Sequence, residues 1–495
     1  MNRLLFAIVA VCLGVPAFAQ EVKPIDHEIN RYLFLDDHWI AGQWGVSRHF
    51  HAATKEEGNP FFIKHEGENN IGPYWFWPAK RQAPYSAWFG SYDGLNYPVS
   101  FTTSEDGFQW DGKRHFTNAL TVGNGNIQAA IPVYDESGQY GEYRYLCAQC
   151  VRHTPEIQEL HWRPLRSRDG IQWELFPDAP VWFSPSDYMM VFWDPGKKKF
   201  VSYYKVWRYQ GTTLDGKPIT LYGHMDLQVD GETIRIVGNT THPRGFVDVT
   251  LQYGGDASDD GGGGTTDEKM QMRRVLGYSE SSDFIHWENQ QIIVAAPNDA
   301  SLGDQTYGTY VNRYGNMYIM WCNSFNSITG LIQPFLAWSH DGIQFSVHEK
   351  QYFLTSGKQG EWDFGMVFPA ELMDAGNGKM FMLYGSLGLD HKDTNEENYR
   401  AGFGRAWLRK DGFASLKGGW ITTVPLTVRA KQMSLNMTGK ISLTLKNTLG
   451  EVIAEAQLQG DHHNRVPEID LSDYLNRDII VHLDLSQGEL YSISL

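Results

Sequence analysis

A short turn signature recurs along this chain and constrains its fold more than any other feature. Each copy has a Ser or Arg, then an Asp that is usually followed by Gly, and an aromatic residue close behind. The copies lie at Ser104–Trp110, Ser167–Trp173, Ser279–Trp287, Ser339–Phe345 and Arg409–Phe413. In such a turn the Asp accepts backbone hydrogen bonds, Gly takes a positive φ, and the aromatic ring packs beneath. The recurrence predicts a repeated structural unit.

Two or three apolar segments precede each copy and alternate as strands do. Examples are Ile127–Tyr134 with Tyr143–Val151 and Met189–Trp193 with Phe200–Trp207. Short strands with tight turns and little helical periodicity predict an all-β chain, and a strand-strand-strand-turn unit is typical of a β-propeller blade. We predict five blades, at about residues 72–115, 124–175, 186–288, 304–350 and 363–415. Seven blades are the alternative, since the inserted segment Ile219–Val249 could form blades of its own.

The pattern changes after Gly418 and Gly419. Aromatic residues become sparse, and short alternating segments continue to the last residue, Leu495. This predicts a small C-terminal β-sandwich over residues 419–495, after a propeller domain over residues 20–418. It carries no evident set of titratable groups, so a structural role is favoured over sugar binding.

The first residues have the pattern of a secretory signal peptide. Arg3 precedes the apolar run Leu4–Val15, and Ala17-Phe-Ala19 precedes Gln20. The run is shorter than the about 20 residues that a membrane span needs. We therefore predict a signal peptide at residues 1–19, cleavage near Ala19, and a secreted or periplasmic protein.

Charge and cysteine usage narrow the choice of partners. The chain has 42 basic and 58 acidic residues, a net charge of −16, which argues against nucleic acid or an anionic membrane as a partner. A small basic pocket remains compatible with this balance. Cys147, Cys150 and Cys322 are an odd set on apolar strands, so we predict buried thiols and neither a disulfide framework nor a zinc site.

The blade register predicts which residues converge on one pocket. Residues at the start of each innermost strand and in the loops that face them ring the central axis of a propeller. Tryptophans, carboxylates, amides and cations at such positions suit a carbohydrate. The residues assigned to substrate binding are Asn126, Gln128, Arg152, Lys205, His224, Asp304, Tyr307, Asp363 and His391.

Several segments resemble secreted bacterial propeller proteins related to glycoside hydrolases, and the likeness covers most of the chain. These segments are Arg31–Ile40, Gly58–Pro60, Trp193–Pro195, Asp304–Gly308 and Trp362–Pro369. Two carbohydrate-active groups on propellers share this resemblance, and they differ in the reaction that they imply.

The first group is the polysaccharide lyases similar to propeller ulvan lyases. The resemblance implies β-elimination in a sulfated, uronate-containing algal polysaccharide, which leaves unsaturated uronate ends. That reaction needs a cation at the carboxylate, a base and an acid. His153, Tyr188 and Arg208 would take these roles. The resemblance also implies one bound divalent metal ion, zinc or calcium, with ligands unassigned.

The second group is the five-bladed glycoside hydrolases, which use paired inner-strand carboxyls. Asp187, Asp304 and Asp363 would serve, with Glu66 or Glu371 as the acid. Tyr74–Pro78 occupies the strand where such enzymes carry a first-blade Asp, which favours the lyase. A third hypothesis is a sugar-binding propeller without catalysis. All three predict an acidic polysaccharide or another carbohydrate as the partner.

Overall fold

The described part of the chain is built from β-strands. A computed structural model describes residues 23–24, 30–60, 62–63, 72–80, 84–92, 99–110, 115–154, 161–183, 188–212, 218–223, 226–230, 233–237, 248–252, 270–293, 304–326, 328–391 and 400–495. Apart from one 3-10 turn at Ser472–Tyr474, every regular element in these residues is a strand, which confirms the all-β prediction. No helix within them could cross a membrane. The predicted signal peptide lies outside the described residues.

Six short strands come first in the described residues, and they pair with strands that lie much later in the sequence. They are β1 (Lys23–Pro24), β2 (Arg31–Leu33), β3 (Ile40–Trp44), β4 (Ser47–Phe50), β5 (Thr54–Lys55) and β6 (Phe62–Ile63). A first antiparallel sheet follows, with β7 (Gly72–Lys80), β8 (Tyr85–Tyr92), β9 (Val99–Ser104) and β10 (His115–Phe116) in sequential order.

A second sheet repeats this sequential order and adds one strand. It contains β11 (Asn126–Tyr134), β12 (Tyr145–His153), β13 (His161–Ser167), β14 (Trp173–Leu175) and β15 (Trp182–Phe183). The third sheet begins with β16 (Met189–Asp194), β17 (Lys199–Thr212) and β18 (Pro218–Gly223). A separate antiparallel sheet of β19 (Asp226–Asp230), β20 (Thr233–Val237) and β21 (Asp248–Gln252) is inserted there. The third sheet then ends with β22 (Met270–Ser281) and β23 (Glu288–Ile293).

The fourth and fifth sheets are joined, and the N-terminal segment completes the fifth. The fourth holds β24 (Asp304–Tyr314), β25 (Met317–Asn326), β26 (Ile332–Ser339) and β27 (Ser346–His348). The fifth holds β28 (Met366–Gly376), β29 (Lys379–Leu387) and β30 (Ala401–Arg409). A single parallel bridge, Ile332 to Met366, links them. Strands β5 and β6 pair with β30. The two ends of the repeat region are therefore fastened together.

The first strands of the five sheets contact one another in a closed cycle. Strand β7 contacts β11, β11 contacts β16, β16 contacts β24, β24 contacts β28, and β28 contacts β7 again. Apolar clusters fill the spaces between adjacent sheets, for example Leu146 with Val191 and Val206, or Tyr203 with Val311 and Met320. This arrangement fits a β-propeller.

The turn signature folds as its residue types predict. Asp169 Oδ1 accepts hydrogen bonds from the backbone N–H groups of Ile171 and Gln172, both at 2.8 Å. Gly170 has φ +76° and donates its N–H to Ser167 Oγ at 3.0 Å. Asp106, Asp283 and Asp341 make the same backbone contacts. The third copy starts at Ser281 instead of Ser279, and Phe284 takes the positive φ there.

Each turn also receives a hydrogen bond from the sheet before it in the cycle. The donors are aromatic or Arg side chains, and the acceptors are oxygens of the turn. The pairs are Arg405 to Phe108, Trp88 to Gly170, Tyr140 to Asp283, Tyr203 to Gly342, and Tyr314 to Asp411. One turn motif therefore stabilises both its own sheet and the contact with its neighbour.

The Asp283 turn should make stability depend on pH under acidic conditions. Partial burial raises the pKa of Asp283, but hydrogen bonds from His286, Ile285 and Ser281 outweigh it and hold the pKa at about 2, below the ordinary 3.8. A depressed pKa contributes stability above the unfolded value, and this contribution is lost as pH falls from about 3.8 to about 2. Asp283→Asn should make the thermal midpoint, followed by circular dichroism, depend less on pH across that range. An unchanged slope in this variant would contradict the assignment.

The C-terminal strands form a nine-stranded sheet around its own apolar core. They are β31 (Ala414–Lys417), β32 (Trp420–Thr423), β33 (Leu426–Thr427), β34 (Ser434–Asn447), β35 (Val452–Arg465) and β36 (Asp478–Ser494). Strands β2, β3 and β4 pair with β36, β32 and β31. Residues 31–50 thus belong to this sheet, although the sequence-based division grouped them with the propeller. The sandwich and the boundary at residue 419 stay predictions.

The three cysteines of the described region are buried and unbridged, as predicted. Cys147 and Cys150 lie in different apolar clusters on the two faces of β12. Burial raises the pKa of the Cys322 thiol to about 12. These thiols are inert at neutral pH.

Candidate functional site

Seven side chains from the third, fourth and fifth sheets meet near the start of β24. We call them the pocket cluster. They are Lys205, Trp207, Arg274, Gln305, Tyr307, Phe325 and His391. Three of them, Lys205, Tyr307 and His391, are substrate-binding residues that the sequence predicted, and the structure brings these three together.

Tyr307 is the centre of the cluster. It lies in a β-bulge of β24 between Thr306 and Gly308, and bulges often redirect a side chain beside a functional site. Its hydroxyl is 3.0 Å from Nε2 of His391. Both side chains are half-buried. They are therefore a hydrogen-bonded pair that can move a proton and that solvent or a ligand can reach.

His391 is positioned by backbone and by aromatic packing. Its N–H donates to the carbonyl of Gly330 at 2.8 Å. Its ring centroid is 4.8 Å from that of Phe325 and 5.0 Å from that of Tyr307. These contacts hold the imidazole against the phenol, so the pair is organised before any ligand arrives.

Two buried cations flank this pair. Lys205 and Arg274 are each 4% exposed. The Lys205 Nζ lies 4.7 Å from the centroid of the Tyr307 ring, and the Arg274 guanidinium lies 4.2 Å from Trp207 and 4.7 Å from Phe325. Cation–π contacts of this kind stabilise a cation away from water. The two side chains place positive charge beside the Tyr307–His391 pair.

Gln305 orients Arg274. Its Oε1 accepts a hydrogen bond from Arg274 Nη1 at 2.9 Å and one from the Arg274 backbone N–H at 3.2 Å. Both groups are buried. The amide therefore fixes the guanidinium without neutralising it.

Strand alternation explains why Arg208 does not join the cluster. Lys205 and Trp207 share a face of β17 with Tyr203, which packs against the fourth sheet. Arg208 lies on the other face with Tyr204 and Val206, which pack against the second sheet. The lyase role predicted for Arg208 stays a prediction, but its side chain and the pocket cluster belong to opposite faces of one strand.

Tyr188, the predicted acid or base, is enclosed in the core. Its hydroxyl donates to the Thr309 carbonyl and accepts from the Thr309 N–H at 3.3 Å. Burial raises its pKa far above the ordinary value of 10.0. A β-carbon on Gly308 would lie 2.9 Å from its ring, so Gly308 makes room for it. This environment favours a packing role over proton transfer.

Tyr188→Phe should therefore leave turnover within about threefold of the unmodified protein. The substitution removes a hydrogen bond to Thr309, which is worth about 1 kcal/mol of stability, and no group of the pocket cluster. Initial rates on a carbohydrate substrate, with the midpoint of urea unfolding as the stability readout, test this. A loss of turnover above about thirtyfold in the folded variant would restore Tyr188 as an acid or base.

Asp363 is held at another place in the fifth sheet. Its carboxylate lies 2.6 Å from Lys55 Nζ and accepts from the Tyr384 hydroxyl at 3.2 Å. Burial, then the charge of Asp363, raises the pKa of Tyr384 well above 10.0. Asp363 is 4% exposed. These contacts fasten the N-terminal β5 to the fifth sheet, and a role in substrate binding stays a prediction.

The other predicted residues are described in part or not at all. Backbone pairing joins Asn126 to His153 at one end of the second sheet, and Asp304 to Asn326 at the start of β24. The side chains of Asn126, Gln128, Arg152, His153 and Asp304 lie outside the described part of the structure. All atoms of His224, Asp187 and Glu66 lie outside it as well. Their proposed roles stay predictions.

Four members of the cluster were absent from the sequence-based site: Trp207, Arg274, Gln305 and Phe325. Trp207 and Arg274 are paired across β17 and β22. That pairing bridges the long insertion between the two strands, so local spacing could not reveal it. Gln305 follows the predicted residue Asp304 on β24, but it was assigned no role in the site.

The described residues do not test the predicted metal ion, which stays a prediction. Among them, no group of three or more His, Cys, Asp or Glu side chains could hold one. Glu371, the candidate acid, is 6% exposed on β28. No step of the chemistry below uses a metal.

The structural neighbours include carbohydrate-active enzymes. No protein-family model matches the chain, and no curated protein matches its sequence. An N-acetylgalactosamine deacetylase from F. plautii, in complex with blood group B trisaccharide, is similar with 13% identity and a TM-score of 0.45, over 73% of this chain and 96% of that one. A family 43 arabinoxylan arabinofuranohydrolase from Bacillus subtilis is similar with 10% identity and a TM-score of 0.36, over 90% and 99%. A GH43_1 enzyme from Xanthomonas citri, complexed with xylose, has 10% identity and a TM-score of 0.40, over 69% and 88%.

Proposed function

We propose that this protein is a carbohydrate-active enzyme that cleaves a glycosidic bond next to an acidic sugar unit at the pocket cluster. One observation carries the proposal. A half-buried Tyr307–His391 pair, joined at 3.0 Å, lies beside two buried cations, Lys205 and Arg274. The pair supplies proton transfer, the cations bind the acidic group, and Trp207 adds an aromatic wall.

We also propose that the scaffold is a five-bladed propeller followed by a small β-sandwich. The closed cycle of first strands supports the count of five. So does the set of hydrogen bonds from each sheet to the next turn, which returns from Arg405 in the fifth sheet to Phe108 in the first. In this arrangement β24 is an innermost strand, and the pocket cluster opens near the axis.

Hydrolysis is the first candidate reaction. It needs one carboxylic acid to protonate the leaving oxygen and one carboxylate to act as base or nucleophile. Asp304 begins β24 three residues before Tyr307, and Glu371 lies on the neighbouring first strand β28. We assign these two to the carboxyl roles, with Tyr307 and His391 orienting the sugar hydroxyls and Arg274 binding the acidic neighbour.

β-Elimination is the second candidate, and the Tyr307–His391 pair with its two cations favours it. Arg274 and Lys205 would stabilise the uronate carboxylate as the C5 proton is removed. The C5–H electrons form the C4–C5 double bond, the C4–O bond breaks, and the leaving oxygen takes a proton. Tyr307 and His391 would supply the base and the acid, in place of Tyr188 and His153 of the sequence-based assignment.

One incubation distinguishes these reactions. The protein is mixed with ulvan, polygalacturonate and arabinoxylan, and reducing ends are measured together with ultraviolet absorbance of unsaturated uronate. Hydrolysis raises reducing ends alone, and elimination raises both signals. If no polymer yields either signal while the protein still binds it, the enzymatic proposal fails and a sugar-binding propeller is the better account.

The location and the metal ion are proposals that rest on the sequence. We propose export to the periplasm or the exterior, with cleavage near Ala19, which N-terminal sequencing of the mature protein tests. A bound zinc or calcium ion would appear in elemental analysis of the purified chain. Its removal by a chelator should then change the thermal midpoint if the ion stabilises the fold.

A further inference from the structure

Two exposed tryptophans lie side by side on the C-terminal sheet. Trp44 of β3 and Trp420 of β32 are 70% and 37% exposed and are paired directly across the two strands. Opposed residues of antiparallel strands point to the same face, with β-carbons about 4.5–5.5 Å apart. Ile421 and Leu483 point the other way into the core. Both indoles therefore stand on the solvent side, and with His482 they form what we call the aromatic platform.

The ring of Trp420 packs against neighbours on both adjacent strands. A β-carbon placed on Gly42 would lie 3.7 Å from Cζ3 of Trp420, so this ring lies across the bare backbone of β3. On its other side is His482, with ring centroids 5.5 Å apart. Nδ1 of His482 is 2.8 Å from the Thr422 hydroxyl. These contacts fix an indole face that is open to solvent.

Two glycines fix the backbone beside Trp44. Gly45 and Gly419 have φ of +67° and +55°, and a β-carbon on Gly419 would lie 1.8 Å from the Trp44 carbonyl oxygen. Only glycine fits a position that combines a positive φ with so close an approach. The two strands therefore meet closely at the end of the platform. A surface organised in advance loses little conformational entropy when it binds a ligand.

The indole rings of the platform and the carboxylate beside them determine which ligands suit it. The face of an indole ring is electron-rich, so it complements the C–H groups on the face of a sugar ring. Asp484 lies opposite Trp420 on the next strand, and its hydrogen bonds with Ser486 lower its pKa. This negative charge on the rim disfavours a polyanion. The carboxylate oxygens can accept hydrogen bonds from sugar hydroxyls, and the Thr422 hydroxyl can donate or accept them.

We propose that the aromatic platform binds uncharged sugar units of a polysaccharide chain. It would act as an anchoring site on the C-terminal sheet, separate from the pocket cluster. The inference does not depend on the proposed activity, since an anchoring surface can bind sugar whether or not the propeller cleaves it.

Affinity electrophoresis of the full chain tests this. Native gels contain soluble xylan, galactan or mixed-linkage β-glucan, and cellulose is used in a pull-down. We expect at least one polymer to retard or retain the protein and to change its tryptophan fluorescence. The double variant Trp44→Ala with Trp420→Ala should bind that polymer at least about tenfold more weakly, which is a loss of about 1.4 kcal/mol, because both stacking surfaces are removed.

A matched variant separates this site from other effects. Leu449→Ala removes another highly exposed apolar side chain from the same sheet and should bind as the unmodified protein does. The proposal is overturned if the unmodified protein ignores all four polymers, or if the double variant binds equally well. It is also overturned if the double variant instead abolishes a dimer in sedimentation, since a second copy of the chain would then be the occupant.

Discussion

For β-elimination at the pocket cluster, Tyr307→Phe is expected to lower kcat about a hundredfold, because proton transfer by a positioned side chain contributes at least that much. The substitution removes only the hydroxyl that lies 3.0 Å from His391. It keeps the ring that packs against Phe325 and Phe368 and that lies under Lys205. KM should therefore change little. The measurement is steady-state kinetics on the polymer found in the incubation above.

Tyr188→Phe is the matched control for this prediction. It is the same chemical change on a neighbouring strand, but its hydroxyl bonds the Thr309 backbone in the core. A large effect at Tyr307 with a small one at Tyr188 supports the pocket cluster as the reaction site. Equal turnover for Tyr307→Phe and the unmodified protein would refute a proton-transfer role for the Tyr307–His391 pair and leave a binding role.

Asp411→Ala is expected to lower the free energy of unfolding by about 3–5 kcal/mol, because it breaks a buried ion pair and removes a carboxylate that accepts further buried hydrogen bonds. Asp411 is 2% exposed and Arg31 is 7% exposed, with Arg31 Nη1 3.4 Å from Asp411 Oδ1. The same carboxylate accepts hydrogen bonds from Tyr314, Asn436 and Ser492. It therefore joins the N-terminal segment, the fourth sheet and the C-terminal sheet.

Two variants isolate the cause. Asp169→Ala removes an Asp of the same turn motif on the surface and should cost about 1 kcal/mol. Asp411→Asn keeps a residue that tolerates the positive φ of +61° and removes only the charge. Chemical unfolding followed by tryptophan fluorescence gives all three values. If Asp411→Ala cost no more than Asp169→Ala, the buried network would contribute nothing beyond the turn.

The all-β fold could be predicted because its signals are local. Ser167, Asp169 and Gly170 make one turn through contacts that span only a few residues, and the aromatic residue after them packs beneath. The strands before each turn alternate with a period of two. The joining of β2, β3 and β4 to the C-terminal sheet could not be predicted, because it pairs Arg31 with Ser494 across nearly the whole chain.

The candidate site could be predicted only in part. Repeat phase grouped Lys205, Tyr307 and His391, and their side chains do lie near one another; their role in substrate binding stays a prediction. Arg208 and Tyr188 have the same repeat phase, but their side chains do not belong to the pocket cluster. One step along β17 turns a side chain to the opposite face, and a bulge at Tyr307 alters the alternation of β24.

The sequence by itself determined the repeated turn, the strands and the types of residue that reach the inner end of each sheet. Tertiary structure decided which of them act together. Asp363 is bound by Lys55 from the first strands of the chain, and Arg274 reaches Trp207 across an insertion. Turn chemistry is encoded by neighbours along the chain, whereas burial and charge pairing depend on residues that only folding makes neighbours.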